Sequence, residues 1–190
     1  VFVVGAGFTA LDCARVARRL GAEEVTIHLR TTEEYIPVEK DEIFEAKREG
    51  IQIKGLRTPV QLLIDDDGNF KGVKFVQNRL GGWREGGRRK AIGIAGSEFD
   101  EDCDTLLIAI GQKTINDYLD VKVKLDRWGS IAIDERGMTS ADGMFAAGDY
   151  VHGPTTVIEA VGHGREIAIQ MDAWLMNRLR RKKVVKIEPV

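Results

Sequence analysis

Cysteine is scarce in this 190-residue chain, with Cys13 and Cys103 as the only two. They are far apart, with no CxxC and no histidine at metal spacing, so neither a disulfide framework nor a zinc or iron–sulfur ligand set is expected, and both read as buried thiols. Long apolar runs are absent too: none approaches the roughly 20 residues that span a bilayer. Nor is there an excess of charge of one sign. Lys+Arg 28 against Asp+Glu 30 leaves a formal net charge of −2, which gives no basic field for a nucleic-acid backbone. Repeats and low-complexity segments are lacking. The first residue is Val rather than Met and Val1 to Val4 already reads as a strand, so the expectation is a chain that begins inside a longer protein, with no signal peptide. These absences leave a soluble, cytoplasmic protein that binds neither nucleic acid nor membrane. With 43% hydrophobic residues it can bury one good core and part of a second.

What is present is a run of βα units. Val1 to Val4 is a short apolar run ending in Gly5, and Leu11, Ala14, Ala17 and Leu20 then recur at three- and four-residue spacing. Gly21 stops that helix and Val25 to Leu29 reads as the next strand, parallel to the first. Glu39 to Glu49, carrying Ile43, Phe44 and Ala46, predicts a second helix, ended by Gly50 before a strand at Ile51 and Ile53. The period then becomes two at Val60, Leu62 and Ile64, with a turn at Asp65 to Gly68 and a return through Phe70, Val73, Phe75 and Val76. An inserted antiparallel hairpin follows from that pattern. Leu80 to Lys90, rich in Gly and Arg, reads as a surface connection, and Gly96 to Phe99 as a turn. Thr105 to Ile110 predicts a fully buried strand ending in Gly111. Strands at Gly129 to Ile133 and Met144 to Ala147 follow, then a long helix from about Thr156 to Leu179 with a solvated basic end at Arg178, Arg180, Arg181, Lys182 and Lys183.

Gly5-Ala6-Gly7-Phe8-Thr9-Ala10 is G-x-G-x-x-A between a strand and a helix. Gly5 permits the tight turn, Gly7 lets a pyrophosphate approach the backbone, and Ala10 lets helix pack on strand, while Phe8 and Thr9 open a helix whose N–H donors and dipole suit an anion. A dinucleotide site that selects NAD places an acid at the end of the second strand. Here that strand ends Leu29-Arg30-Thr31. Arg30 offers a planar fork for a 2′-phosphate, which favours NADP, with NAD as the alternative. A T-x-x-E capping box at Thr156 and Glu159 turns the N-terminus of the last helix, including Val157, toward whatever lies there.

Thr139-Ser140-Ala141-Asp142-Gly143-Met144-Phe145-Ala146-Ala147-Gly148-Asp149 resembles the T-x4-h-F-A-x-G-D fingerprint of FAD-dependent pyridine-nucleotide oxidoreductases. Leu106 to Gln112, with Gly111, looks like that family's segment crossing from the nicotinamide domain to the flavin domain. With GAGFTALDCAR and Thr155 to Ala160, the whole chain is similar to the C-terminal part of glutamate synthase small subunits and their homologues. The resemblance implies an α/β fold: a Rossmann-like three-layer domain over residues 1–111 and part of a flavin-binding domain over 112–190. It implies FAD beside NADP or NAD, with Gly148 and Asp149 addressing the flavin's ribityl or pyrophosphate region and Thr156 and Val157 its ring. It departs from the family in lacking the Y-R-R-T-R run after the second strand, a second flavin G-x-G-x-x-G, and the cysteines that hold iron–sulfur clusters.

The implied reaction moves a hydride from NAD(P)H to FAD and electrons on to an iron–sulfur or other acceptor; the cofactors carry that chemistry, so no catalytic side chain and no metal ligand is assigned. The alternative is a nucleotide-binding or electron-transfer module that is inactive alone. Expected partners are an upstream flavin-binding half or a subunit with iron–sulfur clusters, and a homodimer is also allowed. His28, His152 and His163 read as structural or solvated, and Trp83, Trp128 and Trp174 as packing residues.

Overall fold

The computed structural model of the chain describes residues 1–83, 87 and 89–183, with the backbone alone for 181–183. It divides into two compact units, Val1–Gly111 and Gln112–Val190. The first runs β1 (Phe2–Gly5), α1 (Phe8–Arg19), β2 (Thr26–His28), α2 (Lys40–Arg48), β3 (Gln52–Lys54), β4 (Arg57–Ile64), β5 (Phe70–Trp83), β6 (Arg89–Asp102) and β7 (Leu106–Ala109). β1, β2, β3 and β7 form a parallel sheet in the order β3-β2-β1-β7. β4, β5 and β6 form a separate antiparallel sheet in that order.

Alternation along the parallel strands assigns their two faces. Val3, Val25, Ile27 and Leu29 point to one side and bury against Ala10, Leu11 and Ala14 of α1 and Ala46 of α2. Each aliphatic side chain taken fully out of water there contributes roughly 1.5–3 kcal/mol. Arg18 closes α1 by donating to the carbonyls of Ala22 at 2.8 Å and Glu23 at 2.9 Å, and Arg15 and Arg19 bind Glu49 beyond the end of α2. The other side carries Phe2, His28 and Leu106. Phe2 and Leu106 pack on Val73, Phe75 and Cys103 at the antiparallel sheet, and the His28 ring stacks on Phe75. The unit is therefore three layers deep: helices, parallel sheet, antiparallel sheet. The Gly turn, both helices, the parallel order and the inserted hairpin lie where the spacing predicts.

Several expectations change. Leu80 to Lys90 is not simply a loop, because Leu80 to Trp83 extends β5 and Arg89 and Lys90 begin β6. Arg89 holds the pairing by donating to the Gly81 carbonyl at 2.7 Å; Arg84, Glu85, Gly86 and Arg88 lie outside the described residues. The turn expected at Gly96 to Phe99 is instead a bulge over Ile94 to Ser97 within β6, with Glu98 and Phe99 paired to Val76 and Phe75: the register shifts between Val76 and Asn78, and the Ser97 hydroxyl replaces ladder bonds by accepting from the Gln77 N–H at 3.1 Å and donating to the Ile94 carbonyl at 2.6 Å. β7 is an edge strand rather than a fully buried one, and Ile108 is exposed. Leu20 and Phe44 are exposed as well, because helical spacing alone does not place them on the covered face. Val60, Leu62 and Ile64 are exposed on the edge strand β4, whose register shifts between Pro59 and Gln61 and between Leu63 and Ile64.

In the second unit a four-residue helical turn, α3 (Asp149–His152), is followed by the long α4 (Val157–Lys183). Gly129 to Ile133 and Met144 to Ala147 do not form strands. They make single bridges, Leu125↔Ile131 and Met138↔Phe145, while the carboxylates of Asp126 and Asp134 take the backbone donors of Trp128, Ser130, Arg136 and Met138. Those Asx turns compete with ladder pairing. Trp174 packs edge-on to Phe145 with ring centroids 5.9 Å apart. Trp83 and Trp128 are not packed inside: both are exposed, with Arg89 and Arg127 over their rings. Arg178 and Arg180 are exposed on α4, whereas the side chains of Arg181, Lys182 and Lys183 lie outside the described residues. No helix among the described residues is long and apolar enough to cross a membrane.

Candidate functional site

The glycine turn joins β1 to α1 at the carboxyl edge of the parallel sheet, where open α/β sheets take their ligands. Gly5 has no room for a side chain, since a Cβ there would overlap the backbone carbonyl of Ala109 on β7. Ala10, 1% exposed, fills the space behind the turn. Gly7 differs. It is the N-cap of α1 in extended backbone, φ −93° and ψ −179°, and a Cβ there would meet nothing within 4 Å. The Gly7 carbonyl accepts from Ala10 and Leu11, so among the described residues the Phe8 and Thr9 N–H groups remain the orphan donors of the first turn. That turn holds no acidic side chain, which leaves the positive dipole end uncompensated, and the last holds Arg18 and Arg19, which complement the negative end. The result is a cradle of free donors with open space over Gly7, which fits a pyrophosphate.

Arg30 lies just past β2 and is exposed. Its backbone is fixed: the Arg30 carbonyl accepts from the Asn78 side-chain amide at 2.9 Å, and the Leu29 and Thr31 carbonyls accept from Arg57 and Leu56. Sequence reasoning missed Asn78, which stands in a long strand as an ordinary polar residue and shows its role only through its burial. His28, on β2, is fully buried, with neither ring nitrogen hydrogen-bonded among the described residues. Burial drives its pKa down to about 4, against an opposing pull from Glu101, whose carboxylate is 3.8 Å away. Burial alone would raise the Glu101 carboxyl, but Arg57 at 2.7 Å and Lys54 at 3.3 Å outweigh that and hold it below its ordinary value. His28 is thus a neutral core residue, as expected of it. Cys103 is buried, which pushes its thiol up; Cys13 is half-buried, and both are free.

In the second unit Gly148 and Asp149 open α3. The Gly148 N–H donates to His163 Nδ1 at 3.0 Å, and the His152 ring lies 4.4 Å from that of His163. His152 and His163, read as structural or solvated, thus lie together, and His163 anchors the Gly-Asp turn; nothing in the sequence spacing signals this contact. The exposed Asp149 carboxylate accepts from the Thr155 N–H at 3.3 Å and hydroxyl at 3.2 Å, and it lines a cavity of about 360 Å³ with Gln112, Lys113, Tyr118 and Tyr150. The capping box forms: Thr156 N–H donates to Glu159 at 3.0 Å and the Thr156 hydroxyl accepts from the Glu159 N–H at 3.4 Å. The Thr156 N–H, joined by its hydroxyl, holds the Glu159 carboxyl below its ordinary value. Val157, at 81% exposed, leads α4 into solvent. Gly111 closes the first unit. Among the described residues no group of three His, Cys, Asp or Glu could hold a metal ion.

Residues 1–164 match the pyridine nucleotide-disulphide oxidoreductase family, across both glycine-bearing turns. The chain belongs to that family. It is 38% identical over 176 residues to the NADP(+)-dependent formate dehydrogenase subunit beta of Moorella thermoacetica, covering 92% of this chain and 25% of that one. It is 34% identical over 192 residues to the small chain of glutamate synthase [NADPH] from Azospirillum brasilense, covering 99% of this chain and 39% of that one. The chain thus spans well under half the length of these curated relatives, whose names call them subunits or chains. Among solved structures, T. acidophilum thioredoxin reductase matches with a TM-score of 0.70 at 25% identity, covering 92% of this chain and 52% of that one. Mycobacterium tuberculosis FprA in complex with NADPH matches with a TM-score of 0.72 at 16% identity, covering 100% and 55%, and bears on the fold alone.

Proposed function

We propose that this chain is the nicotinamide-nucleotide-binding domain (residues 1–111) and the returning part of the flavin-binding domain (residues 112–190) of a flavin-dependent oxidoreductase resembling glutamate synthase small subunits. When bound, the two cofactors supply the chemistry, a hydride passing from NAD(P)H to FAD and electrons onward to an iron–sulfur or other acceptor. The observation that carries the reading is the β1–α1 turn, where open space over Gly7 faces the free Phe8 and Thr9 donors, in a chain whose residues 1–164 match the family.

Each named residue has a task in this scheme. The Phe8 and Thr9 amides hold the nucleotide pyrophosphate. Arg30 pairs with a 2′-phosphate, which favours NADP over NAD, a preference supported by relatives named for NADP(+) and NADPH. Asp149 addresses the flavin's ribityl or pyrophosphate region, accepting from ribityl hydroxyls, on a turn held by His163. The capped start of α4 at Thr156 and Val157 sets a positive dipole end toward the flavin ring. The partner is an upstream flavin-binding half or a subunit with iron–sulfur clusters. A second reading, a nucleotide-binding module without turnover of its own, applies to residues 1–190 by themselves and is favoured by the 25% and 39% of the relatives' lengths that the chain covers.

The test is anaerobic addition of NADPH or NADH to the complete flavin-loaded protein while its flavin absorbance is followed. Bleaching by NADPH at lower concentration than by NADH is expected. Bound flavin that neither nucleotide bleaches would leave only the second reading.

A further inference from the structure

β3 and the link that leads into the inserted antiparallel sheet grip the end of β2 residue by residue. The Leu29 N–H donates to the Lys54 carbonyl of β3 at 2.9 Å, the Arg57 N–H, at the start of β4, to the Leu29 carbonyl at 2.8 Å, and the Leu56 N–H, in the link, to the Thr31 carbonyl at 2.9 Å. Gly55 makes this close approach possible, because a Cβ there would lie 2.8 Å from the Thr31 carbonyl. Leu56, with φ 59°, is the one non-glycine residue in left-handed backbone among the described residues, a strained conformation kept only where surrounding bonds over-determine it. The remaining carbonyl of the segment, that of Arg30, is taken by Asn78.

Asn78 is 3% exposed on β5, where an unpartnered amide would be disfavoured by burial without hydrogen bonds. Its side-chain amide donates to the Arg30 carbonyl at 2.9 Å and to the Thr58 hydroxyl at 2.7 Å, and its own N–H donates to the Leu56 carbonyl at 2.8 Å. One buried side chain therefore ties the strained Leu56 link, β4 and the Arg30 backbone into a single network. A long exposed arginine reads a phosphate well only if its backbone is held, since otherwise the ordering is drawn from binding.

We infer that Asn78 is a positioning residue for nucleotide selectivity: by fixing the Arg30 backbone it sets the preference for a dinucleotide bearing a 2′-phosphate. The inference rests on the proposed reading of Arg30. It assigns the antiparallel insertion a part in specificity, beyond covering the sheet.

The experiment titrates the full chain with NADPH and with NADH by calorimetry and compares the ratio of the two affinities across variants. Asn78→Ala is expected to lower the NADPH:NADH ratio by about 3- to 10-fold, the effect of one lost hydrogen bond, with NADH affinity little changed. Asn78→Ser, a gentler change, keeps the test decisive if the alanine variant fails to fold. Val73→Ala, which hollows the core on the same strand, should lower thermal stability and leave the ratio alone. Arg30→Ala separates the two readings: a ratio it does not move refutes the reading of Arg30 and the inference with it. A ratio that falls with Arg30→Ala but not with Asn78→Ser, or that falls as much with Val73→Ala, overturns the role of Asn78 alone.

Discussion

The His28 ring stacks on the Phe75 ring, centroids 4.4 Å apart and planes 21° from parallel, so a titratable side chain fills the contact between the parallel and antiparallel sheets. Phe2 meets the same imidazole edge-on at 4.5 Å. Fully buried beside Glu101, Lys54 and Arg57, the ring is held neutral with its pKa lowered to about 4. The unfolded chain binds this proton near pH 6.5 and the folded chain does not, so the stabilising effect is complete above about 6.5 and is lost as pH falls toward 4. Between pH 7 and pH 5 the loss is about 2 kcal/mol. Urea midpoints measured at the two pH values should differ accordingly for the native chain and by much less for His28→Leu. An equal difference in both would assign the acid sensitivity elsewhere.

Gly5 and Gly7 stand two residues apart and should respond oppositely to a side chain. Gly5→Ala drives a methyl into the Ala109 carbonyl and should destabilise the first unit by about 2 kcal/mol or more. Gly7→Val places its branches in open space on extended backbone that suits valine. Its cost to stability is the poorer N-cap, about 1 kcal/mol, but the branches occupy the pyrophosphate's path. Thermal melts should show Gly5→Ala as the less stable variant, while titration finds nucleotide binding lost in Gly7→Val. Wild-type affinity in Gly7→Val would remove the turn from the site.

Much of this was legible in the sequence because local rules and tertiary structure agree. The G-x-G-x-x-A turn, the spacing of Leu11 and Ala14 and the Thr156–Glu159 capping box depend on residues a few positions apart, and each forms as its pattern predicts. The illegible features depend on distant partners. Leu80 to Trp83 is strand because β6 pairs with it, despite Gly81 and Gly82. Met144 to Ala147 looks like a strand by composition but finds a single bridge. Asn78 and His163 matter through bonds to residues 48 and 15 positions away, and no periodicity encodes such bonds.

The capping box offers a local test. Thr156→Ala removes the hydroxyl that accepts from the Glu159 N–H, and substitutions of this kind cost about 0.5–2 kcal/mol. The loss should appear as faster amide exchange confined to the first turn of α4, with the rest of the helix unchanged. Uniform protection loss along α4 would show that the cap holds the whole helix rather than its end.

The last expectation concerns flavin. In the proposed scheme Asp149 and the start of α4 address the middle and the ring of FAD, whereas the adenosine end ordinarily takes its own glycine turn, helix N-terminus and ribose acid. The one G-x-G-x-x-A among these residues is at Gly5, and its β2 ends in Arg30 rather than an acid, which suits a nucleotide with a 2′-phosphate better than FAD. Around the Gly148–Asp149 turn and the start of α4 the second unit is open: Val157 is 81% exposed, Ile158 80% and Val161 66%, surfaces that a further flavin-binding segment would cover. Holding only one end of a ligand forfeits the effective concentration gained when the other end is already bound, typically a factor of about 10² to 10⁴. Residues 1–190 expressed alone should therefore retain little FAD through gel filtration, while a longer protein carrying a second glycine fingerprint retains close to one flavin per chain. Stoichiometric flavin on residues 1–190 would refute this and require that two copies of the chain together complete the site.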